Sequence, residues 1–157
     1  MNYLIDIQNA CTNPLPISES SLKNWAIDTL KTQMASAELT LRLVDIHEIT
    51  TLNNLYRHQD KPTNVLAFPS NLPDAVQLDF PFIGDVIICP EVLEQEAIEQ
   101  GKLLESHWAH IVIHGVLHLL GFDHIEKEEA LQMQTQEIQL LNNLNIANPY
   151  HEDHDSE

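Results

Sequence analysis

Apolar and polar residues trade places along this chain with two periods, and the switches between them mark the elements. The run Tyr3-Leu4-Ile5-Asp6-Ile7-Gln8 reads as a strand, and Asn13-Pro14-Leu15-Pro16 breaks it before Ser18 caps a helix. Leu22, Trp25, Ala26, Thr29, Leu30 and Gln33 then recur at helical spacing. Leu39, Leu41 and Leu43 alternate with Thr40 and Arg42, so residues 38–45 read as a half-buried strand. Asp45 and Glu48 have the spacing of a capping box for a helix that ends near Arg57. Val65 to Phe68 is a short apolar strand, and the proline-bounded segment from Pro69 to Pro81 is a loop long enough to cover a site. Ile83 to Cys89 is a further strand, and Pro90 suits the first turn of an acidic helix that ends at Gly101. Leu103 to Leu120 forms a strongly apolar helix, and Glu126 to Leu144 a last amphipathic one with Leu131, Ile138, Leu141 and Leu144 on its apolar side. Helices and strands therefore interleave around one sheet. From Asn148 to Glu157 the chain is acidic, which predicts a disordered tail after a single domain over residues 1–147.

Composition narrows the classes. A chain of 157 residues with 43% hydrophobic content fills one core and has no room for two ordinary domains. No stretch approaches the roughly 18 consecutive apolar residues of a membrane span, and the first residues lack a basic, apolar signal segment, so a cytoplasmic protein without membrane contact is expected. Cys11 and Cys89 are too few for a disulfide framework and have no cysteine neighbour for a thiolate metal site, which leaves two buried thiols. With only seven Lys and Arg against a net charge of −17, the chain cannot be a generic electrostatic binder of nucleic acid, and DNA is not expected as a partner. Any RNA function must draw on local positive potential, on single-stranded substrate, or on a partner that delivers the RNA.

The candidate chemistry sits in the run from His114 to His124. His114 and His118 are four apart on the apolar helix and share a face, Gly121 suits the reversal just past the helix end, and His124 returns beside them. Three neutral imidazoles leave one tetrahedral position open, as in a catalytic zinc site. His107 stands about 16 Å up the helix axis from His118, too far to share an ion. A site built on His110 and His114 is conceivable, but the returning turn argues for His124, which leaves His110 as a supporting or packed residue. The spacing matches that of metzincin peptidases, yet Gly115 occupies the position of their general-base glutamate, so peptide hydrolysis is a poor fit. Arg57 and Lys61 are the one basic pair in the middle of the chain. Asp123 could orient a histidine or stabilise the turn.

On three stretches the sequence resembles the YbeY family of bacterial zinc-dependent endoribonucleases: His114 to His124, Leu55 to Pro69, and Ile83-Gly84-Asp85-Val86-Ile87-Ile88. The resemblance covers nearly the whole chain. It implies an α+β fold, a single compact domain with a small mixed sheet of about four strands, surrounding helices, and a central metal-bearing helix in a zincin-like site. It implies one zinc ion per chain on His114, His118 and His124, with Arg57 the basic residue needed for activity. Asp123, His110, Lys61 and Asp85 are further candidates for supporting or substrate contacts. The implied activity is single-strand-preferring endoribonuclease action in 16S rRNA 3′-end maturation and late ribosome quality control. The implied partners are ribosomal RNA and the small ribosomal subunit, met through ribosomal proteins or assembly factors. Asn64 and Ala67 depart from the aspartate and serine typical of the family. The competing readings are a non-catalytic ribosome assembly factor with a structural zinc, and a different metallohydrolase.

Overall fold

The computed structural model describes residues 2–70, 81–122 and 126–150. Its described elements run β1 (Tyr3–Asn9), α1 (Glu19–Leu30), β2 (Ala37–Leu43), α2 (Ile46–Arg57), β3 (Val65–Pro69), β4 (Phe82–Ile88), α3 (Pro90–Gln100), α4 (Leu104–Leu119) and α5 (Lys127–Asn143). The four strands form one sheet in the order β1-β2-β4-β3. β1, β2 and β4 are parallel, and β3 pairs antiparallel with β4 at the edge. This is the mixed four-stranded α+β arrangement the sequence led us to expect.

β2 lies inside the sheet, with Leu39, Leu41 and Leu43 buried on one face and, on the other, Thr40 buried between the partly exposed Glu38 and Arg42. On one face Val65, Val86 and Ile88 join the larger core with α1 and α4; on the other, Leu66, Ile87 and Cys89 pack with Val44 and Ile49 beneath α2. α4 is the central helix and touches α1, α3, α5, β3 and β4. Its Trp108, Ile113 and Leu117 are fully buried, and each such side chain contributes about 1.5–3 kcal/mol of apolar burial. At Gly115 the helix lies so close to the sheet that a Cβ would stand 2.6 Å from Cγ1 of Val86.

Several local expectations change. Ser18 does cap α1, accepting from the Ser21 N–H. Asp45 makes no side-chain capping bond to α2. Its carboxylate accepts instead from the Thr12 hydroxyl (2.8 Å) and N–H (3.4 Å), while Glu48 is held by Arg42. The spacing was that of a capping box, but partners distant in sequence take both carboxylates. On α5 the buried stripe is Met133, Glu137, Leu140 and Leu141, while Leu131, expected to face the core, is 56% exposed. Cys89 is buried and Cys11 half-buried, and both are free thiols. Burial first, then the charge of Asp45, pushes Cys11 up to about 12, so it stays protonated and unreactive.

The chain stays packed beyond residue 147. Tyr150 is half-buried against His110, with ring centroids 5.6 Å apart. The remaining residues of the expected tail, 151–157, and most of the expected loop, 71–80, lie outside the described residues.

Candidate active site

One flank of α4 carries a column of imidazoles. Ring centroids are 6.3 Å apart from His107 to His110, 6.2 Å from His110 to His114, and 4.7 Å from His114 to His118. His114 and His118, like His110 and His114, stand one turn apart, and the rings of His114 and His118 are both partly exposed. The end of α4 is shaped by Gly121, at φ +100°. The Gly121 N–H donates to His118 O (3.1 Å) and the Phe122 N–H to Leu117 O (3.0 Å). These two bonds make a Schellman closure that reverses the chain just past His118, as the glycine predicts. His124 and Asp123, the residues this turn was expected to return, lie outside the described residues.

Facing the column is Glu137 of α5, 1% exposed. His110 donates from Nε2 to its Oε1 (2.7 Å), His114 donates from Nδ1 to its Oε2 (2.9 Å), and the Tyr150 hydroxyl donates to Oε1. Burial alone would raise the pKa of this carboxylate, but the hydrogen bonds and charges of His110 and His114 prevail and lower it to about 2. Glu137 is therefore ionised and can only accept, which fixes a proton on Nε2 of His110 and on Nδ1 of His114. Burial lowers the His110 pKa, so that ring is neutral at pH 7.

His110, His114 and Glu137 form a group that could hold a metal ion. Two atoms on one tetrahedral zinc at about 2.0–2.1 Å stand about 3.3 Å apart. The N···O separations of 2.7 and 2.9 Å are shorter, and are those of hydrogen bonds. The donor set suits zinc, whose histidine ligands commonly hand their second N–H to a carboxylate. Sequence reasoning missed Glu137. Its one signal is position: an acid four residues after Met133 and three before Leu140, on the stripe that α5 buries.

Arg57 occupies a separate cleft of about 600 Å³ with Asn53, Gln59, Lys61, Asn64 and Glu96 along its walls, and among the described residues neither His114 nor His118 lines it. Arg57 ends α2, where His58 adopts a left-handed conformation (φ 59°) and its N–H closes on Asn54 O at 3.0 Å. A cation in this last turn meets the negative end of the helix dipole. Asn53 holds the loop by donating to Lys61 O at 2.9 Å. Asn64, one of the two departures, donates to both oxygens of Glu96 at 3.3 Å, and Glu96 bonds His107 at 2.9 Å. The Arg57 cleft and the histidine column thus meet at the head of α4. Ala67 packs against the α4-side core; Asp85, opposite Phe68 in the β3–β4 pair, falls on the other face of the sheet, away from the histidines.

The Endoribonuclease YbeY family profile matches residues 6–145. The chain belongs to the YbeY endoribonuclease family. It is 54% identical over 150 residues to Endoribonuclease YbeY of Legionella pneumophila, a match spanning 96% of this chain and 95% of that protein. It is 50% identical over 149 residues to Endoribonuclease YbeY of Pseudomonas putida, spanning 95% and 94%. The solution structure of a Thermotoga maritima protein matches at a TM-score of 0.58 and 26% identity, over 90% of this chain and 92% of that one. The YbeY fold is thus present over nearly its full length, and the hydrolase class follows from the family. No helix among the described residues is long and apolar enough to cross a membrane.

Proposed function

We propose that the chain is a zinc-dependent endoribonuclease that cuts single-stranded ribosomal RNA, with one zinc held by His114, His118 and His124. The observation that carries this reading is the family match across residues 6–145. The 4.7 Å pairing of His114 with His118 supports it. A zinc on these residues would polarise a phosphoryl oxygen or supply a hydroxide near neutral pH.

In this reading Arg57 meets the phosphodiester. Its planar, always charged guanidinium neutralises charge that builds on the phosphoryl oxygens as the bond breaks. Lys61 adds a second positive charge in the same cleft, and Asn64 keeps the cleft in shape by holding Glu96. Attack by water and attack by the RNA's own 2′-hydroxyl leave different ends, and a cyclic phosphate product identifies the second.

The net charge of −17 leaves little general attraction for RNA. We place the protein in 16S rRNA 3′-end maturation and ribosome quality control in the cytoplasm, docked on the small subunit through basic ribosomal proteins, whose charge complements this acidic surface. Such docking weakens as salt rises.

The test is cleavage of a single-stranded ribosomal RNA fragment by wild type, His118→Ala and Arg57→Ala, purified identically. Loss of cutting in both folded variants is the expected result. Two folded variants that cut like wild type would leave the zinc structural and overturn the reading.

A further inference from the structure

A carboxyl group with 1% exposure is an expensive thing to keep in a core. Removing such a group from water is costly unless donors surround it. Glu137 has three, from two helical turns of α4 and from the C-terminal segment. Its neighbours on the stripe, Met133, Leu140 and Leu141, are apolar, so an apolar residue here would continue the packing. What an apolar residue could not do is take a proton-bearing nitrogen of His114.

We propose that Glu137 is a positioning residue: its buried carboxylate accepts the Nδ1–H of His114 and thereby commits that ring to metal binding through Nε2. Tyr150 reaches back from the C-terminal segment and braces the carboxylate. His110 occupies the other oxygen, so the carboxylate cannot rotate away from His114 without breaking two further bonds. The inference rests on the zinc reading above, and it opposes the arrangement in which Glu137 itself ligates with His110 and His114. In that arrangement His114 would bind through Nδ1 and carry its proton on Nε2, the reverse tautomer.

The imidazole nitrogens therefore decide the matter. Long-range ¹H–¹⁵N spectra of the full chain read the His114 tautomer directly, with and without zinc, and chelator competition reads zinc affinity. We expect Nδ1–H on His114 in wild type both ways, and mixed tautomers in Glu137→Gln, whose amide accepts less and adds a donor. Zinc affinity should fall by about 10- to 100-fold in that variant, by less in Tyr150→Phe, and should be partly restored in Glu137→Asp. Should Glu137→Gln fail to fold, Tyr150→Phe and Glu137→Asp carry the same readouts. A wild-type tautomer and zinc affinity in folded Glu137→Gln would overturn the proposal, as would Nε2–H on zinc-loaded His114. The metal-free tautomer stands apart from the zinc reading: if wild type binds no zinc, that reading fails, while the Nδ1–H result still decides the role of Glu137 on His114.

Discussion

Gly115→Ala should destabilise the protein even though alanine is the better helix former. A Cβ at this position would lie 2.6 Å from Val86 Cγ1 and 3.3 Å from Val65 Cγ2. Carbon atoms in good contact are about 3.5–4.0 Å apart, so the first of these overlaps by about 1 Å. Val86 is fully buried in β4 between β2 and β3, and its β-branched side chain has little rotamer freedom to yield. Overpacking of this kind costs about 1–3 kcal/mol, against a helix-propensity gain of about 1 kcal/mol. The net expectation is a loss of up to about 2 kcal/mol, or a fall in Tm of up to about 8 °C for a domain this size. Urea unfolding of wild type, Gly115→Ala, Val86→Ala and the double variant measures it. In the Val86→Ala background the added methyl should be neutral or stabilising, giving a coupling of about 1–3 kcal/mol. A Gly115→Ala protein more stable than wild type by the full propensity gain, or a coupling near zero, would refute the close approach. The same geometry accounts for the missing peptidase base: the position after His114 faces the sheet, where a glutamate has no room.

Three further outcomes follow from the structure. Gly121→Ala meets no atom within 4 Å but forces φ +100° on a residue with a Cβ, so unfolding should show a loss of about 1–2 kcal/mol. Stability should fall as the pH is lowered: the folded pKa of Glu137 is depressed to about 2, so its contribution is complete above the ordinary carboxylate value and drains away as pH drops towards 2. Urea midpoints of wild type at pH 6, 4 and 3 should decline more steeply than those of Glu137→Gln, and parallel declines would contradict the assignment. Asp45→Ala and Thr12→Val should cost similar amounts in the same assay, about 0.5–1 kcal/mol, because Asp45 serves Thr12 rather than the α2 N-terminus; a much larger loss in Asp45→Ala alone would point to a cap.

The strands and α4 were legible because periodicity and apolar bulk are local properties. His114, His118 and Gly121 were legible for the same reason, since helix spacing and a left-handed stop are written within one short run. Glu137 was not. An acid inside an amphipathic helix ordinarily marks the solvent side, and it takes the His110 and His114 donors from another helix, with the Tyr150 hydroxyl, to make its burial tolerable. That one residue also misled the reading of α5, where Leu131 was assigned to the core and proves exposed. Tyr150 was hidden among acidic residues, its partner 13 residues back on Glu137. Asp45 and Glu48 had the right spacing for a local motif, but Thr12 and Arg42 claimed them through tertiary contact.

The central claim is tested most directly by stripping zinc from wild type with a chelator, measuring metal content, and following cleavage of a single-stranded ribosomal RNA fragment before and after stoichiometric zinc is returned. The account predicts that cutting disappears with the metal and returns at one zinc per chain, and that His118→Ala does not recover. Undiminished cutting by metal-free protein that remains folded would contradict it.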